Sequence, residues 1–138
     1  MIKGPSIHLT WKELACKDGT PYPEIWRTTR AVKLAAAFEM IRETFGDNPI
    51  TVLSAYRTPA HNRAIGGARN SQHLEGRALD LRPPNGTKVF DFYRVIKAIA
   101  PDCGIKGIGL YKTFVHIDIR PTTNTAYWKG SGVKDSLA

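Results

Sequence analysis

Two short runs constrain this chain more than anything else in it: Arg77-Ala78-Leu79-Asp80-Leu81-Arg82 and Phe114-Val115-His116-Ile117-Asp118-Ile119. Each alternates apolar and polar residues, the period of a strand with one face on a core. Leu79 and Leu81 fall on one face of the first run, opposite Ala78, Asp80 and Arg82. Val115, Ile117 and Ile119 share one face of the second, opposite His116 and Asp118. A carboxylate inside an apolar strand is costly unless it is paired or bound to a cation. The fold must therefore bury one sheet face and give the other a polar centre.

The surrounding pattern predicts a helix from about Thr29 to Phe45, with Val32, Ala35, Ala36, Met40 and Ile41 near helical spacing and Gly46 ending it. Pro49 to Arg57 has the β-branched density of a core strand, stopped at Thr58-Pro59. The next stretch, to Gly76, reads as loop or short helix, and Gly66, Gly67 and Gly76 permit backbone shapes closed to other residues. A second helix is expected from about Thr87 to Ala98, its inner face carrying Val89, Phe90, Tyr93 and Ile96 or the Lys97 stem. Strands follow at 107–111 and 113–119. Segregated helices and adjacent strands argue an α+β fold, a small antiparallel sheet backed by helices. The length of 138 residues suits one domain. Within it, residues 1–23 read as an irregular arm anchored by Leu9, Trp11 and Leu14. Residues 121–138 read as a loosely structured tail apart from Tyr127 and Trp128.

With 20 Lys+Arg against 12 Asp+Glu the chain carries +8, which favours polyanions such as nucleic acid, anionic membrane surfaces and acidic wall polymers. The basic residues are dispersed, and no helix-turn-helix, zinc-finger or aromatic RNA-platform pattern is present, so nucleic acid is not an expected partner. No run approaches the roughly 18 apolar residues of a membrane span. The first twenty residues lack the apolar core of a secretory signal, so synthesis in the cytoplasm without a classical signal peptide is expected, as is a monomer. Two distant cysteines, Cys16 and Cys103, exclude a disulfide framework and a Cys-rich zinc knuckle, and read as buried reduced thiols.

The histidines are His8, His61, His73 and His116. His73, Asp80 and His116 together offer two imidazoles and one carboxylate with a fourth position open, a set that suits catalytic zinc. Ordinary polar residues at strand edges, paired with nearby arginines, fit the same pattern. His61 reads as a surface histidine and His8 as structural.

The stretch SAYRTPAHNRAIGGARNSQHLEGRALDL, followed by FVHIDIR, resembles the LAS group of zinc D-Ala-D-Ala metallopeptidases, which includes the hedgehog signalling domain. That pattern is Tyr-Arg, Asn, Gly-Gly, then Ser-x-His, six residues, Asp, and finally His-x-Asp. This chain supplies Tyr56-Arg57, Asn62, Gly66-Gly67, Ser71-Gln72-His73, Asp80 and His116-Ile117-Asp118. The WKELACKDGT segment is similar to the entry of the small single-domain branch. The resemblance implies a hedgehog or D-Ala-D-Ala peptidase-like fold and one zinc per chain held by His73, Asp80 and His116. It places Arg57 where a substrate carboxylate or carbonyl is recognised, and Ser71 at a substrate-contacting position.

Many members of the group carry the general base three residues before the last zinc histidine, and here that residue is Thr113. Asp118, on the same strand face as His116, is the expected substitute. Orientation of His116 by Asp118 is the alternative, and Glu75 is a weaker candidate base. The expected function is a zinc peptidase acting on stem peptides or cross-links of bacterial peptidoglycan, an endolysin-type endopeptidase reaching the wall by holin-type release. A D,D-carboxypeptidase of the same family, or a non-catalytic zinc module binding wall or partner, are the alternatives.

Overall fold

A computed structural model describes residues 3–137, so the extreme ends of the expected arm and tail, residues 1, 2 and 138, lie outside it. Helices α1 (Trp11–Leu14), α2 (Arg30–Thr44), α3 (Pro59–Ala64) and α4 (Val89–Cys103) accompany strands β1 (Thr51–Ser54), β2 (Ala78–Arg82), β3 (Gly107–Leu110), β4 (Val115–Asp118) and β5 (Ala126–Lys129). Short 3-10 turns lie at Glu24–Trp26 and Gln72–Glu75. The strands form one sheet in the order β1-β2-β4-β3-β5, antiparallel except for the β3–β5 pair. The expected α+β architecture is therefore observed.

One sheet face is core. Leu79, Leu81, Val115, Ile117, Ile108 and Leu110 are fully buried there and join Leu34, Phe38 and Ile41 of α2 and Phe92, Tyr93 and Ile96 of α4. Truncating a buried residue such as Phe38 to Ala costs about 3–5 kcal/mol at such positions.

The face of α2 differs from the expectation. Val32, Ala36 and Met40 are exposed, and Ala31, Leu34, Ala37 and Phe38 join Ala35 and Ile41 inside. Apolar residues are spread around the whole helix, so its sequence carries almost no amphipathic period and the sheet decides which side is buried. In α4, Phe92 and Ala100 are buried with Tyr93 and Ile96, whereas Val89 and Phe90 sit at the rim. The arm is better packed than an irregular segment needs to be. Thr10 and Glu13 form a reciprocal capping box on α1, and Leu9 and Leu14 are fully buried. Cys16 is buried, but Cys103 is only partly so; both are free thiols. The tail also departs from the expectation: Ala126–Lys129 adds a fifth strand, running parallel to β3. Its register sets Trp128 beside Gly109, where a Cβ would collide with the indole.

Candidate metal centre

The second sheet face carries a single row of residues across all the strands. Ser54 of β1 pairs with Asp80 of β2, Asp80 with His116 of β4, His116 with Gly109 of β3, and Gly109 with Trp128 of β5. Asp80 and His116 are thus cross-strand neighbours, each on the polar face that alternation gave its strand. His73 reaches the row from above. Ser71 caps the 3-10 turn that carries it, its hydroxyl accepting the His73 N–H at 3.1 Å. Gly76 closes that turn at φ 64° with its carbonyl accepting the Tyr22 hydroxyl at 2.7 Å, and any Cβ there would strike Trp26. The turn expected after His73 needs this glycine.

Hydrogen bonds fix which imidazole nitrogen faces which neighbour. His73 Nδ1 lies 2.6 Å from the Ala55 carbonyl, which can only accept, so Nδ1 carries the proton. Burial, opposed by Asp80, lowers the pKa of His73 and keeps the ring neutral. Its Nε2 is then a bare lone pair, buried without a hydrogen-bond partner and 3.1 Å from Asp80 Oδ1. His116 Nε2 lies 2.7 Å from Asp118 Oδ2, which directs Nδ1 at the same Asp80 Oδ1, also at 3.1 Å.

Burial pushes the Asp80 carboxyl upward, but the hydrogen bond from His116 and the imidazoles beside it outweigh that and hold it well below the usual carboxylate range. The carboxylate is ionised. The ligand atoms of His73, Asp80 and His116 all lie within 4.8 Å of one another. A neutral His73 presents a lone pair to an anion, an arrangement that is repulsive until a cation sits between them. Burial would lower the pKa of His116 as well, yet hydrogen bonds to Asp118 and Asp80 raise it, so a proton on His116 partly fills the role of that cation. Two imidazoles and a carboxylate match the nitrogen and oxygen ligands of a catalytic zinc site with an open position. The residues present fit zinc.

These groups floor a cavity of about 530 Å³ whose walls include Arg57, Ser71, Tyr111, Arg120 and Trp128. Arg57 is held by three bonds: Nε to Ser54 Oγ at 3.1 Å, one terminal nitrogen to Asn62 Oδ1 at 3.3 Å, the other to Asp80 Oδ2 at 3.2 Å. One N–H on each terminal nitrogen is left over, enough for a forked contact. Gly67 packs on this arrangement so closely that a Cβ would overlap Asn62 Oδ1. Ser71 both caps and lines the cavity.

Asp118, expected as the general base, is not among the residues that line the cavity. Its carboxylate is fully buried behind His116, gripped by Arg120 Nε at 2.8 Å and an Arg120 terminal nitrogen at 2.7 Å. Burial is outweighed by these bonds and by His116, so it too stays ionised well below the usual range. Alternation placed it on the correct face, but the His116 ring stands between it and the cleft. It orients His116, the alternative that the sequence left open. Glu75 is half exposed, turned toward Arg30 and Arg77, and is not part of the cavity wall. Thr113 is exposed. His8 is tied to Glu39 at 2.7 Å, and His61 lies on α3 outside the cavity.

Sequence reasoning missed two contributors. Gly107 stands opposite Asp118, where a Cβ would overlap the carboxylate, and Gly109 opposite His116 makes room for Trp128. The signal was there: in Gly107-Ile108-Gly109 glycine alternates with a core residue, a strand whose outer face must be bare. Trp128, its ring centre 5.0 Å from that of His116, walls the site and donates its N–H to the Tyr111 hydroxyl at 2.9 Å.

The sequence model of the family described as Peptidase M15 matches residues 7–118. A 56-residue stretch is 41% identical to the zinc D-Ala-D-Ala carboxypeptidase of Streptomyces albus G, covering 39% of this chain and 22% of that protein. The chain therefore matches only about a fifth of the length of that curated relative. With the family match spanning most of its length, this chain belongs to the M15 peptidases.

Proposed function

We propose that the chain is a zinc-dependent peptidase that hydrolyses peptide bonds in the stem peptides or cross-links of bacterial peptidoglycan, acting as an endopeptidase of the endolysin kind. One observation carries the reading: His73 Nε2 and His116 Nδ1 converge on the Asp80 carboxylate at the floor of an open cleft. The +8 charge suits an anionic wall, and the curated relative is named for a D-Ala-D-Ala substrate.

His73, Asp80 and His116 would hold the metal, which when bound polarises a carbonyl and acidifies water. Asp118 keeps the proton of His116 on Nε2, so that Nδ1 stays available on the cleft side. Arg57 offers its remaining N–H pair to a carboxylate or carbonyl of the stem peptide. The Tyr111 hydroxyl accepts from Trp128, leaving its own proton to donate into the cleft, and Trp128 shields His116 from water.

A binding-only module is favoured by one observation: among the described residues, Asp80 is the only carboxylate lining the cleft. Mass spectrometry of purified muropeptides, incubated with zinc-loaded protein, separates the readings. Cleavage products are expected and identify the bond. Zinc uptake with every muropeptide left intact would establish the binding module instead.

A further inference from the structure

Behind the metal cleft lies a second hollow of about 590 Å³. Its wall draws cations from separate parts of the chain: Arg30 and Lys33 from the first turn of α2, Arg77 before β2, Lys106 before β3, and Arg120 after β4. Among the described residues, no carboxylate lines it. Two acids reach these cations from outside. Glu75 lies 3.7 Å from Arg30 and 4.0 Å from Arg77, and Asp118 grips Arg120. Five cations less those two carboxylates leave three positive charges unmatched. Among the described residues, the Lys106 ammonium meets only the Thr123 carbonyl, at 3.1 Å, and the exposed Lys33 has no ion-pair partner.

The start of α2 adds to this field, because Thr29 makes no side-chain cap and the helix end is positive. Like charges drawn around one concavity repel, and an anion relieves that repulsion. Arg120 lines both hollows, so they adjoin across its side chain.

We infer that this hollow is an anion-binding site for the oxyanion groups of a polymer whose neighbouring segment lies in the metal cleft. The shared chemistry is a repeating carboxylate or phosphodiester, each able to take forked contacts from arginine and point contacts from lysine. That the polymer is bacterial wall rests on the peptidase reading; the anion site itself does not. The site raises the local concentration of the polymer and orients it, while Lys33 and Lys106 line the second hollow and not the metal cleft.

The test uses the full chain and two probes, fluorescent poly(glycerol phosphate) and a muropeptide with free carboxylates, titrated at low and moderate salt. Lys33→Glu/Lys106→Glu is expected to weaken binding of one probe about tenfold or more, and to flatten its salt dependence. Lys12→Glu/Lys88→Glu, with the same change in net charge at exposed positions outside the hollow, is expected to alter binding by about twofold or less. The probe that responds names the oxyanion source. Hydrolysis of a soluble peptide substrate too short to reach the second hollow is expected to stay unchanged in both double variants.

Failure of the wild type to bind either probe would overturn the proposal, as would equal losses in the two double variants. If the glutamates perturb folding, as read by circular dichroism, Lys33→Gln/Lys106→Gln makes the same comparison. A wild type that binds a probe but cleaves no muropeptide would sink the peptidase reading and leave the anion site standing.

Discussion

The two sides of the His116 ring face opposite situations. Behind it, Nε2 and the Arg120 guanidinium both meet the Asp118 carboxylate, whose two oxygens are thereby matched. In front, the Nδ1 of His116 and the Nε2 of His73 both converge on Asp80 Oδ1 at 3.1 Å, with His73 Nε2 left unpartnered. Both sides are buried, polar and anionic. Only the front retains unmet demand, and unmet demand inside a well-packed sheet marks a site that is built for something else to bind. The back side is what makes the front possible, because it fixes the ring and its tautomer.

Breaking the front is expected to have the largest effect. His116→Ala should abolish stoichiometric zinc and all muropeptide cleavage while the chain stays folded, checked by elemental analysis and circular dichroism. Removing the back should do less. Asp118→Asn is expected to weaken zinc binding by about 10–100-fold, the usual cost of losing a partner that orients a ligand. A general base would instead retain zinc and lose only rate, so zinc affinity separates the roles.

Gly107→Ala attacks the same side by steric means, forcing a methyl group into the Asp118 carboxylate. It should destabilise the fold by about 1–3 kcal/mol in a denaturant titration.

Acidity sharpens the contrast. In the metal-free protein the raised pKa of His116 means that zinc must displace a proton. Zinc affinity should therefore rise by up to about tenfold per pH unit until His116 is neutral, then level off. Asp80 and Asp118 have folded-state pKa values below their ordinary ones, so their contribution to stability is present above about pH 4 and lost on acidification below it.

The smallest effect is expected at Arg57→Lys. The charge survives, but a lysine cannot span Ser54, Asn62 and Asp80 together, and a rate loss of roughly tenfold with zinc retained is expected.

The front of the ring was legible in the sequence because strand alternation is a strong constraint. Asp80 and His116 each had to leave the core face of its own strand, and Gly76 allowed a turn after His73; the pairing of β2 with β4 that makes them neighbours lay outside that pattern. The back was only half legible. Alternation put Asp118 beside His116, but no one-dimensional pattern says that one side chain will stand in front of another. That required the register opposite Gly107 and the reach of Arg120. Trp128 was harder still, since β5 is a short edge strand with alternating burial, held by a long-range parallel pairing to β3. The inner face of α2 was illegible for the opposite reason: apolar residues all round the helix leave the choice to whatever packs against it.

Calorimetric titration of zinc into metal-free protein, comparing the wild type with Asp80→Ala, bears most directly on the two imidazoles converging on Asp80. One site per chain with proton release is expected for the wild type, and no measurable site for a folded Asp80→Ala. A wild type that takes up no zinc, or an Asp80→Ala variant that binds it as tightly, would contradict the metal centre built on His73, Asp80 and His116.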